Sequence, residues 1–178
     1  MKPSIAMTAL VSFVSGAVVA LTATSGFAGP ARAAKPSQYT NAVYGYSIVP
    51  PAFAKAEKDG AAQTVSFFAP ARKGFATNLG IIVQMVKMTL DEYCDLSTGQ
   101  FKQAGLKIVS ETRKKVSGKN AVLWEYEGTL QQGELKWIAL AVIDTDRVFL
   151  ITGTTTPAEY AQVEKELRAS LDTFAIEE

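Results

Sequence analysis

Residues 107–155 are written almost entirely as extended strands broken by short turn signals, and this stretch limits the fold more than any other. Residues 107–116, the turn residues Ser117-Gly118-Lys119-Asn120 and residues 121–130 have the pattern of one β-hairpin. Residues 134–144, the turn Asp144-Thr145-Asp146 and residues 147–155 predict a second. Val122, Trp124, Tyr126 and Leu130 fall on one side of their strand, with Glu125, Glu127 and Thr129 on the other. That alternation predicts antiparallel pairing with one face buried. Residues 137–143 are apolar without a break, which predicts a central strand covered on both faces.

Shorter strands precede the hairpins. Residues 43–49 are β-branched and aromatic and stop at Pro50-Pro51, which suits a first strand at a sheet edge. Residues 64–69 read as a second strand closed by Pro70, and residues 72–78 as a polar loop. Residues 79–88 form a third strand that is apolar on both sides. Ile81, Val83 and Met85 face one way and Ile82, Val86 and Met88 the other, so it is expected inside the sheet.

Two helices complete the pattern. Thr89 and Glu92 predict a capping box, followed by a stripe of Leu90, Cys94, Phe101 and more weakly Leu96. Gly99 weakens the middle of this helix, and Gly105-Leu106 is its expected stop. At the second helix Thr156 is the expected N-cap, Pro157 the first helical residue and Glu159 the partner in another capping box. Tyr160, Val163, Leu167, Leu171 and Phe174 form its buried stripe, and Glu164 and Arg168 pair on the wet side. The expectation is an α+β fold, an antiparallel sheet of about six strands with two main helices packed on it as an α/β sandwich. One domain over residues 39–178 accounts for all of these elements.

Ahead of that domain, residues 5–27 are a nearly uncharged apolar run behind Lys2, followed by Gly29-Pro30 and Ala31-Arg32-Ala33. A basic start, an apolar middle and an A-x-A site are the plan of a secretory signal peptide, here residues 1–33, with residues 34–38 as a short flexible tail. The rival is an uncleaved anchor, since a run of roughly twenty apolar residues can span a bilayer. Ser12, Ser15, Gly16, Thr22, Thr24, Ser25 and Gly26 weaken the run and favour cleavage. No later stretch is long and uniform enough to cross a membrane, so no transmembrane span is expected after cleavage. The address is export, to a periplasmic or extracellular space.

The chain has no histidine, which removes Ser-His-Asp and Cys-His nucleophile systems and the His-built metal sites. Cys94 is the single cysteine, so there is no internal disulfide and no thiol for a lipid at the cleavage point. With 18 Lys and Arg against 17 Asp and Glu there is no basic field for nucleic acid. No Gly-rich phosphate loop or nucleophile elbow is present. No catalytic residue, metal ligand or cofactor site is therefore assigned.

The remaining candidates each have a plainer reading. Cys94 could serve as a redox thiol but reads better as a small buried hydrophobe. Asp91, Glu92 and Asp95 could hold a hard cation, but acids at a helix start complement its dipole. Asp144 and Asp146 could ligate a metal at a hairpin tip but read better as turn residues, and Trp124 and Trp137 read as core fillers, an exposed one marking a binding face instead. Arg113, Lys114, Lys115 and Lys119 gather near a hairpin tip and are the candidate partner surface, for an acidic protein or anionic headgroups. The alternative is a solvated hairpin end whose charges guard a sheet edge.

The strand Tyr44-Gly45-Tyr46-Ser47-Ile48-Val49-Pro50-Pro51, a three-strand start, a helix, two hairpins and a closing helix resemble the PsbP-like superfamily of exported proteins, with its LpqN-type and DcrB-like groups. The short segment before Tyr39 and the missing histidine depart from its photosynthetic members, and the missing lipobox cysteine departs from the lipoproteins. The resemblance implies a PsbP-like α/β sandwich that acts as a non-enzymatic binding or assembly factor. Its partner would be an envelope or membrane-associated protein, in a thylakoid lumen if the source is photosynthetic. The alternative is a carrier of a small apolar ligand or lipid between helix and sheet, and a carboxylate-using enzyme is the third reading.

Overall fold

The structure, a computed structural model, describes residues 37–59 and 64–177. The expected signal peptide lies outside the described residues. The chain divides into residues 1–31 and residues 32–178, and the fold concerns the second unit.

Its strands are β1 (Tyr39–Asn41), β2 (Tyr46–Ile48), β3 (Ala56–Asp59), β4 (Thr64–Phe68), β5 (Asn78–Gln84), β6 (Lys107–Val116), β7 (Lys119–Leu130), β8 (Gly133–Ile143), β9 (Val148–Thr155) and β10 (Ala175–Ile176). Helix α1 (Leu90–Gln103) lies between β5 and β6, and α2 (Pro157–Leu171) between β9 and β10. Seven strands pair antiparallel in the order β3-β4-β5-β9-β8-β7-β6, and a second sheet has the order β1-β2-β10.

β8 sits between β7 and β9, as its unbroken apolar run requires; α2 packs on one of its faces, while α1 packs on β6 and β7 on the opposite side of the sheet. On one side Ile138, Leu140, Val142, Phe149 and Ile151 form a core with Leu167 and Leu171 of α2 and with Tyr46 and Ile48 of the small sheet. On the other side Trp124 meets Tyr93 and Phe101 of α1, and Tyr126 lies between Phe101 and Trp137. The Phe101–Tyr126 and Tyr126–Trp137 rings stack at 4.4 and 5.1 Å between centroids. Phe101 meets Trp124 edge-on at 5.7 Å, an arrangement favoured by the ring quadrupoles.

Two close approaches to the sheet are made onto glycine. A Cβ built on Gly153 would lie 2.8 Å from Leu167 Cδ2 and 3.1 Å from Ile138 Cγ2. One on Gly128 would lie 2.5 Å from Leu106 Cδ2, in the short link between α1 and β6.

Local signals set the ends of α1. Thr89 Oγ1 accepts the Glu92 N–H while the Glu92 carboxylate accepts the Thr89 N–H at 2.8 Å, the expected capping box. The helix runs unbroken through Gly99 and ends with Leu106 N–H on Phe101 O and Gly105 N–H on Lys102 O. Gly105 takes the positive φ of +70° that this reversal requires. Tyr93 and Ser97 join Cys94 and Phe101 on the buried face, whereas Leu90 and Leu96 are only half-buried.

Four expectations need correction. Residues 43–49 are not one edge strand. Asn41 Oδ1 accepts the N–H groups of Val43 and Tyr44, and Gly45 at φ +56° completes a turn. The chain becomes extended only at Tyr46, and β2 is the fully buried centre of the small sheet. Met85 lies beyond the end of β5 and is 58 % exposed rather than beside Val83 in the core. The β6–β7 turn is tighter than expected, with Val116 opposite Lys119 across Ser117 and Gly118, both at positive φ. Finally, Thr156 caps α2 without a side-chain hydrogen bond, and Glu159 instead accepts the Thr77 hydroxyl at 2.8 Å.

The close approach at Gly153 generates a test against Gly99, which is exposed and has open space around it. Gly153→Ala should destabilise by about 1–3 kcal/mol through overpacking, while Gly99→Ala should stabilise by about 0.5–1 kcal/mol through helix propensity. Urea unfolding midpoints of the two variants, moving in opposite directions, are the measurement.

Candidate functional site

Strand alternation and internal partners disperse the basic hairpin end. Arg113 reaches across to Asp91 at the start of α1, and Lys114 turns to the opposite side of the sheet, donating to Asp172 just past α2 at 3.0 Å. Lys115 donates to Asn120 on the neighbouring strand at 2.7 Å, and Lys119 pairs with Asp144 at 2.9 Å. Three of the four cations thus hold an internal carboxylate, and exposed Lys115 has an uncharged partner. The Asp91 hydrogen bond and charge push the Arg113 pKa further up.

The acids and the thiol are similarly committed. Glu92 serves the capping box, and the Thr89 backbone N–H and then its hydroxyl hold its carboxyl below the ordinary value. Asp144 binds Lys119 and also Arg147 at 3.1 Å, and the Lys119 hydrogen bond is the main reason its pKa is depressed. Cys94 is buried and desolvation pushes its thiol up to about 11, so it is not a poised nucleophile. Trp124 is fully buried and donates to Glu111 at 2.9 Å. Among the described residues, no group of three or more Cys, Asp or Glu could hold a metal ion.

What sequence reasoning did not find is a ring of hollows around the loop of residues 49–55. One of 330 Å³ is lined by Tyr39, Pro50, Pro51, Lys55, Glu57 and Phe67, among others. A second, of 210 Å³, lies between Val49, Pro50, Pro51 and Ala52 and the α2 residues Glu166 and Ala169. The third, again 330 Å³, is floored by Phe53 and Val163 and edged by Lys55, Arg72, Glu159 and Glu166. Pro50 and Pro51 are shared by the first two, Glu166 by the second and third, and Lys55 by the first and third. The prolines had signalled only the end of a strand. The lining comes from four segments far apart in the sequence, so no local motif could reveal it.

Between α2 and the sheet lies a network centred on Glu125. Its carboxylate accepts the Tyr160 hydroxyl at 2.6 Å, the Ser110 hydroxyl at 3.0 Å and a guanidinium N–H of Arg168. Arg168 also donates to Glu164 at 2.8 Å, so the expected helix pair reaches inward as well as along the surface. Burial alone would raise the Glu125 pKa, but the bonds from Tyr160, Arg168 and Ser110 outweigh it and hold the carboxyl low. Burial and the Glu125 hydrogen bond both push the Tyr160 phenol up, so it stays protonated as a donor.

Because the folded pKa of Glu125 lies below its ordinary 4.5, its stabilisation is complete above that value and is lost as pH falls through the folded value. Glu125→Gln should cost about 1 kcal/mol at neutral pH and flatten the acid limb of stability below about pH 4.5. Denaturation midpoints from neutral to acid pH check both effects.

No family model and no curated protein matches the sequence. Solved structures do match. Cyanobacterial PsbP (CyanoP) from Synechocystis sp. PCC 6803 aligns at a TM-score of 0.63 and 15 % identity, covering 85 % of this chain and 98 % of that one. LpqN, involved in cell envelope biogenesis of Mycobacterium tuberculosis, aligns at 0.59 and 11 % identity over 80 % of this chain and 90 % of its own. A Pseudomonas aeruginosa protein of unknown function, PA94, aligns at 0.58 and 18 % identity over 77 % and 94 %. At these identities the likeness concerns architecture alone, and the chain shares the α/β sandwich fold of these structures.

Proposed function

We propose that this chain is an exported, non-enzymatic accessory protein of the cell envelope that works by docking on an envelope or membrane-associated protein. The observation that carries this reading is the alignment to CyanoP across nearly all of that chain, together with LpqN, whose own role is in envelope biogenesis. The secretory plan of residues 1–33 supports the address. The groups best suited to chemistry are already engaged: Cys94 is buried with a raised pKa, and Glu125 and Asp144 are held by hydrogen-bonding partners. A ligand carrier is less well supported, since Leu167 of α2 and Leu106, just ahead of β6, press onto Gly153 and Gly128 and leave no space there for an apolar guest.

The β6–β7 hairpin end is the surface offered to an acidic patch on the partner. Arg113, Lys114 and Lys119 are held in place by Asp91, Asp172 and Asp144, and Lys115 is exposed with no carboxylate partner. The Arg113–Asp91 pair is exposed on both sides and contributes little, so exchanging its carboxylate for the partner's costs little.

Chemical cross-linking of the tagged full chain in its own envelope fraction tests the proposal. A matured protein and one reproducible cross-linked species are expected. Lys115→Glu should weaken that species, and added salt should weaken it further. Lys165→Glu, an exposed control on α2, should leave it unchanged. A chain retained in the cytosol, or recovered from the envelope only as a free monomer, would sink the proposal.

A further inference from the structure

The third hollow, beside Phe53, has a charge arrangement suited to a ligand that neither the fold nor the docking proposal assigns. Two carboxylates stand on α2, Glu159 and Glu166, seven residues apart and so on the same side of the helix. Both are half-buried and fixed through one oxygen. Glu159 Oε2 accepts the Thr77 hydroxyl at 2.8 Å, and Thr77 is itself bonded to Thr155 at 2.8 Å. Glu166 Oε2 accepts the Phe53 N–H at 2.8 Å. The Oε1 atoms have no hydrogen-bond partner among the described residues.

Two cations line the same hollow, Lys55 and Arg72. Their backbones are anchored. Lys55 N–H donates to Phe68 O at 2.8 Å, and Arg72 exchanges hydrogen bonds of 2.8 and 3.0 Å with Phe75 around a tight turn at Lys73 and Gly74. Neither side chain forms an ion pair with Glu159, Glu166 or any other acid among the described residues. Opposite charges therefore share one hollow without closing on each other. Phe53, Val163, Ala69 and Pro70 supply apolar surface between them.

We propose that this hollow binds a small zwitterion with an apolar side chain, an amino acid or dipeptide with both termini free. Its ammonium group faces Glu159 and Glu166 and its carboxylate faces Lys55 and Arg72. A simple anion would face two carboxylates and a simple cation two cations, while a zwitterion meets partners at both ends. The 330 Å³ volume lies at the lower end of the range for ligand pockets, about 300–1,000 Å³, which sets the size class. The inference stands on the hollow alone, so it and docking at the hairpin end can fail separately.

Titration of the isotope-labelled full chain with L-leucine and with L-leucyl-L-leucine, followed by amide NMR, tests it. At least one should give saturable shifts centred on Phe53, Thr77, Val163 and Glu166, with a dissociation constant of about 10 μM to 1 mM, as expected for an open site. N-acetyl-L-leucinamide, which carries neither charge, should give none. Arg72→Gln alters an exposed rim residue, and Glu166→Gln keeps an oxygen for the Phe53 N–H; each should weaken binding at least about tenfold. No saturable shift, equal binding of the blocked compound, or undiminished binding by either variant overturns the proposal.

Discussion

Burial of β8 on both faces is the constraint from which the rest of the structure follows. Residues Ile138, Ala139, Leu140, Ala141 and Val142 are all completely buried, so neither side of this strand can face water. Each large aliphatic among them contributes about 1.5–3 kcal/mol only when its side of the sheet is covered. A helix is therefore needed above and below. α1, between β5 and the far edge strand β6, supplies one layer, and α2, after β9, supplies the other. Residue size matches each cover: Ala139 and Ala141 leave room for rings on the α1 side, while Gly153 lets Leu167 settle on the α2 side.

That constraint was readable because it is local. An unbroken apolar run marked β8, strict alternation marked β7, and the letters around Thr89 and Gly105 marked both ends of α1. Where the deciding partner is distant, the same reading failed. Glu159 stands three residues after Thr156, the spacing of a capping box, yet its carboxylate goes to Thr77, far back in the chain. β3 carries Glu57, Lys58 and Asp59 and has no apolar period to betray it, because an edge strand needs pairing on one side only. The turn that shortened the expected first strand depends on one side chain, Asn41, accepting two backbone N–H groups.

Surface charge illustrates the same limit. Arg113, Lys114 and Lys115 are consecutive in sequence, but strand alternation sends Lys114 to the opposite face from its neighbours, and each finds its own partner. A run of like charge in an extended strand is thus two half-patches and not one. The hollow beside Phe53 is the converse case. Lys55, Arg72, Glu159 and Glu166 come from a loop, a turn and a helix, and only the fold makes them neighbours.

The two helix layers also differ in how their polar groups are satisfied. On the α2 side Ser170 donates to Val49 O, Thr77 is bonded to Thr155 and Glu159, and Glu125 gathers three donors. On the α1 side Ser97 Oγ and Tyr126 OH are buried without a protein partner, a cost of about 1–3 kcal/mol for each hydroxyl left unsatisfied. The aromatic stack of Phe101, Tyr126 and Trp137 must offset that cost through area and ring contacts. The α1 side has directed bonds too, from Tyr93 OH to Gln84 at 2.7 Å, from Trp124 to Glu111 at 2.9 Å and from Arg113 to Asp91, but only there are two buried hydroxyls left without a protein partner among the described residues. The α2 layer also carries one wall of two hollows, and Glu166, fixed by the Phe53 N–H, lines both.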